Sequence, residues 1–80
     1  MKNKQKFPDN LYDKNGEKIN EDDVITDGHN YYRIYWNAAQ PQVEAYSVAA
    51  GYLHNLTPAR LATFCRVGTF TEKGYLLGED

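Results

Sequence analysis

A small, β-rich single domain with one short helix is the fold this sequence predicts, on three observations. Asn15-Gly16 and Asp27-Gly28 punctuate short apolar runs, and these dipeptides are the strongest local hairpin signals a sequence carries. The aromatic run Tyr31-Tyr32-Arg33-Ile34-Tyr35-Trp36 separates by parity into an apolar face and a mixed face, as a strand does. Thr57-Pro58, followed by Ala59-Arg60-Leu61-Ala62, has the N-cap and first-turn chemistry of a helix.

The elements follow in order. Residues 1–10 are polar and predict a flexible N-terminal arm, with Phe7-Pro8 its only anchor and Phe7 expected to dock on the domain of residues 11–80. Leu11-Tyr12 and Lys18-Ile19 flank the Asn15-Gly16 turn as short strands. Residues 24–26 predict a third strand and residues 30–36 a fourth, joined tightly through Asp27-Gly28-His29-Asn30. Residues 42–48 are its expected partner, after a turn at residues 37–41.

Parity sets the register of that hairpin. Trp36 opposite Val43 brings Ile34 to Ala45, Tyr35 to Glu44 and Arg33 to Tyr46. This leaves one apolar face and one aromatic-charged face, whereas a slip of one residue mixes them. Ala49-Ala50-Gly51 is expected to end the hairpin. The single helix then occupies residues 58–63, at most two turns. Residues 64–71 return to a strand pattern, with Phe64, Arg66, Gly68 and Phe70 on one face. Gly68 predicts a bulge or bend, of the kind that lets a short sheet curl into a barrel. Tyr75-Leu76-Leu77 is expected to pack back on the domain.

Composition narrows the function classes. A chain of 80 residues with 41% hydrophobic and 14% aromatic content builds one thin core, and self-association is a common way to supplement it. The net charge is −2, and Lys2, Lys4 and Lys6 in the arm form the one local basic excess. A duplex-binding domain carries a basic stripe instead, so nucleic acid is the less favoured partner. One cysteine, Cys65, excludes an internal disulfide. The lack of a signal peptide or long apolar run predicts a cytoplasmic protein.

The segment Leu11-Tyr12-Asp13-Lys14-Asn15-Gly16-Glu17-Lys18-Ile19-Asn20-Glu21-Asp22-Asp23-Val24-Ile25 resembles the opening of the YopX-like phage proteins. Their phrase reads D-x-N-G-x-x-I-Y-E-G-D-I-V, and Asp13, Asn15, Gly16, Ile19, Glu21, Asp23 and Ile25 fall at matching places. Asn20 and Asp22 depart from it, where Tyr and Gly stand in the family. Arg66-Val67-Gly68-Thr69-Phe70-Thr71-Glu72-Lys73 looks like the family's closing phrase, V-I-G-N-I-Y-E-N. The resemblance covers both ends of the domain. It implies a small SH3-like β-barrel, encoded by a phage or integrated element and working in the bacterial host's cytoplasm. It implies no catalytic residues.

No catalytic constellation stands out. His29 and His54 match no metal-ligand spacing, and nothing places a base beside Cys65, which is expected to pack as a small apolar residue. Glu21, Asp22, Asp23 and Asp27 form an acidic group of the kind found in solvated turns, without the ligand pattern of an EF-hand. Neither a metal nor a cofactor is expected. The candidate binding site is the outer face of the hairpin: Tyr31, Arg33, Tyr35, Glu44 and Tyr46. Tyr and Arg are enriched where interface energy concentrates, and they also stack on single-stranded bases. The expectation is a non-enzymatic protein-binding module, an inhibitor of a host defence system in its most concrete form. The partner is then a host or phage protein. A nucleic-acid-binding accessory domain and a self-assembling structural module are the alternatives.

Overall fold

The computed structural model describes residues 6–78. Its elements are β1 (Asp23–Thr26), β2 (Tyr31–Asn37), β3 (Gln42–Ser47), β4 (Gly51–Leu53), α1 (Pro58–Leu61), β5 (Cys65–Thr69), α2 (Phe70–Lys73) and a 3₁₀ turn (Gly74–Leu77). The strands form one antiparallel sheet in the order β4-β3-β2-β1-β5. The first four make a meander, and β5 returns beside β1.

Side-chain parity set the central register correctly: Arg33 pairs with Tyr46, Ile34 with Ala45, Tyr35 with Glu44 and Trp36 with Val43. Tyr32, Ile34, Val43 and Ala45 thereby reach the core with Leu11, Ile19, Ile25, Leu56, Leu61 and Phe64. Tyr12 and Lys18 form an isolated bridge across the Asn15-Gly16 turn rather than two strands. Gly16 and Gly28 both hold positive φ, at 82° and 97°, as left-handed turn positions require. Phe7 packs against the core as expected; residues 1–5 of the predicted arm, with Lys2 and Lys4, lie outside the described residues.

Three expectations change. The chain does not stop pairing at Gly51, because Gly51 takes a φ of 84° and turns the backbone into β4, where Tyr52 pairs with Tyr46. The strand predicted to run through Thr71 ends at Thr69, whose hydroxyl accepts the Glu72 N–H at 3.3 Å and starts α2. The sheet is also open rather than closed into a barrel. β4 is three residues long, and beyond it the Leu56 N–H bonds to the Val43 carbonyl at 2.9 Å, so a loop continues the edge of β3.

The bend expected near Gly68 exists as a bulge in β5. Val24 pairs with Gly68 while Ile25 pairs with Arg66, which leaves Val67 without a counterpart. Because Val24 and Ile25 point to opposite faces, Arg66 and Gly68 do too, and the single face drawn through Phe64, Arg66, Gly68 and Phe70 breaks there. The C-terminal turns contact β1, β2 and β5, and Leu77 is buried. They cover one end of the outer face and leave the rest open.

Candidate functional site

The outer face of β2 and β3 carries Arg33 and Tyr35 beside Glu44 and Tyr46, and β4 adds Tyr52. Arg33, Tyr35, Tyr46 and Tyr52 line an open groove of about 440 Å³, with Asp22 at its other wall. The Tyr46 and Tyr52 rings lie 4.7 Å apart, tilted by 49°, so they present two differently inclined π faces. His54 stacks nearly parallel on Tyr52, with centroids 6.1 Å apart. Tyr52 is 59% exposed, so much of its ring is open to solvent beside the groove.

Glu44 is the buried anchor of this face, with only 3% of its surface exposed. Its carboxylate accepts from Gln42 Nε2 at 2.6 Å, Asn37 Nδ2 at 2.9 Å and the Tyr35 hydroxyl at 2.7 Å, and His54 Nδ1 lies 3.1 Å away. The Gln42, Asn37 and Tyr35 donors outweigh burial and hold its pKa down at about 2. Burial, and then the bond to Glu44, pushes the Tyr35 phenol up to about 12. The pair thus fixes a neutral phenol against a charged carboxylate. Burying an ionised group is tolerated only with such a set of donors.

Arg33 is held from two sides. Its Nη2 and Nε approach Asp22 Oδ1 at 3.1 and 3.2 Å, and its guanidinium lies 4.0 Å above the Phe70 ring centroid. Asp22 stands at φ 71°, in the left-handed region that Gly, Asn and Asp enter more readily than other residues. Its N–H bonds to the Ile34 carbonyl and its carbonyl accepts from the Phe70 N–H, which ties this turn to both β2 and α2.

Of the five residues expected from sequence, Arg33, Tyr35 and Tyr46 line the groove, Glu44 is buried and bonded to Tyr35, and Tyr31 stands outside the lining. Tyr31 pairs with Thr26 at the far end of β2. Asp22 and Tyr52 were missed. Tyr52 lies on a strand too short to show periodicity, and Asp22 carried a signal only through its place beside the turn.

The acidic group does not converge on a common point. Asp23 accepts from the Asn20 N–H and from Arg66 Nε, both at 2.7 Å, while Asp27 accepts the His29 and Asn30 N–H groups at 2.9 Å. These backbone donors hold the Asp27 carboxyl below its ordinary range. Asp13 lies apart from it: burial opposes its ionisation, but the N–H groups of Arg66, Glu17 and Asn15 outweigh burial and lower its pKa. Among the described residues no three His, Cys, Asp or Glu side chains are placed to hold a metal ion, and no helix is long and apolar enough to cross a membrane. Comparison with protein-family models, curated proteins and solved structures gave no match.

Proposed function

We propose that this protein is a non-enzymatic protein-binding module of a phage or mobile element, acting in the bacterial host's cytoplasm as an inhibitor of a host defence system. The observation that carries the reading is the groove of Arg33, Tyr35, Tyr46 and Tyr52, set beside a rigidly bonded carboxylate. Large rings and a guanidinium, fixed in place before binding, are the groups that concentrate interface energy at low entropic cost. The meander with β5 returned beside β1 after a one-turn helix supports an SH3-like roll. The phrases at residues 11–25 and 66–73 support the phage origin.

Charge favours protein over nucleic acid as the partner, since the chain carries −2 and the groove's one guanidinium is already paired with Asp22. The test is affinity capture from nuclease-treated lysate of the bacterial host, using the full chain and its Tyr46→Ala variant, which removes a ring of the groove. The reading predicts one stoichiometric protein on the wild-type bait and at least a tenfold loss on the variant, with folding unchanged by circular dichroism. Equal capture by both baits, or retention that nuclease abolishes, would contradict it.

A further inference from the structure

The groove's chemistry narrows what enters it. Three tyrosines offer π faces, which carry partial negative charge and attract cations. Asp22 lines the groove with them, and Glu44 lies behind it, bonded to Tyr35, so two carboxylates stand against the single guanidinium of Arg33. Arg33 is already engaged by Asp22 and by the Phe70 ring. Glu44 has neither Arg nor Lys among its partners; Gln42, Asn37 and Tyr35 give it neutral donors, and His54 Nδ1 is the remaining contact. Buried at 3% exposure and ionised in neutral solution, it leaves a negative charge beside the rings.

We infer that the groove is a cation site, and that its occupant is an arginine side chain of the partner protein, stacked on Tyr46 and Tyr52 within the field of Glu44 and Asp22. A guanidinium fits better than an ammonium here, because its plane stacks on an aromatic face and sheds water more readily. The two tilted rings, 4.7 Å apart between centroids, offer such faces at the groove wall. This inference rests on the protein-binding reading and adds the chemistry of the group bound.

The test uses N-acetyl-arginine amide, with N-acetyl-citrulline amide as the uncharged analogue of the same shape, titrated into the full chain and followed by NMR. The arginine derivative is expected to shift the Tyr46 and Tyr52 ring signals and to saturate in the millimolar range, as a ligand of this size should. Citrulline is expected to leave them unmoved. Tyr52→Phe, which keeps the ring, should bind as the wild type does, while Tyr52→Ala should bind about three- to fivefold more weakly. Equal response to both derivatives, undiminished binding by Tyr52→Ala, or displacement by inorganic phosphate would overturn the assignment. Capture of a protein sensitive to Tyr46→Ala, with no response to the arginine derivative, would sink the cation site and leave the protein-binding reading standing. Arginine binding without any captured protein would do the reverse.

Discussion

Glu44 decides most of what the outer face can do. Its carboxylate gathers the Tyr35 hydroxyl and the Asn37 and Gln42 amides, so truncation strands several donors at once. Glu44→Ala should cost about 2 kcal/mol in urea unfolding, the scale expected for unpaired buried polar groups. Its pH signature follows from the depressed folded-state pKa, about 2 against an ordinary 4.5. The unfolded chain takes up this proton first as pH falls, so Glu44's contribution is complete above 4.5 and drains away between 4.5 and 2. Tyr35 has the opposite sense, with a pKa raised from 10 to about 12. Its contribution is complete below 10 and is lost as pH rises through 12. Denaturant midpoints measured across pH should therefore fall off on both sides, and Glu44→Gln should flatten the acid limb. At Asp22, where φ is 71°, Asp22→Val should be at least about 1 kcal/mol less stable than Asp22→Gly.

At the scale of elements, the C-terminal turns support Arg33 of the groove through the Phe70 ring. A Cβ at Gly74 would come 2.9 Å from Phe70 Cε1 and 3.1 Å from Cδ1, against a ring that carries Arg33 on its face. A Cβ at Gly68 would meet Lys73 Cγ at 2.8 Å, near the base of that side chain, so Lys73 must change rotamer to make room. Gly74→Ala and Gly68→Ala should therefore each cost about 1–2 kcal/mol in thermal or urea unfolding. The same elements show where sequence reasoning succeeds and where it runs out. The β2–β3 hairpin was legible because both strands are long enough for alternation to exclude a slipped register. The helix at Pro58 was legible from Thr57, whose hydroxyl accepts the Arg60 N–H at 3.2 Å. β4 was not, because three residues show no period, and with it went Tyr52. α2 did leave a trace, since Thr69 with Glu72 is a capping-box spacing that the alternating run before it obscured. The bulge was placed near Gly68, yet its effect on parity depends on which residue is left over, here Val67, and only pairing reveals that.

The whole molecule puts its two faces to different uses. The core lies on one side of the sheet under Leu11, Ile19, Leu61 and Phe64. On the other side the C-terminal turns cover the β1 end, and the tyrosine groove stays open between them and β4. The order of strands follows from local rules, since neighbours in sequence pair and only β5 returns from a distance. The groove does not follow from those rules, because it draws on four separate parts of the chain. On the proposed function the tyrosine groove, and not the exposed Tyr12 or Tyr75, meets the partner. An NMR map of the isotope-labelled chain in nuclease-treated lysate of the proposed bacterial host tests this. Line broadening is expected to concentrate at Asp22, Arg33, Tyr35, Tyr46 and Tyr52. Uniformly sharp lines, or broadening centred on Tyr12 and Tyr75, would contradict it.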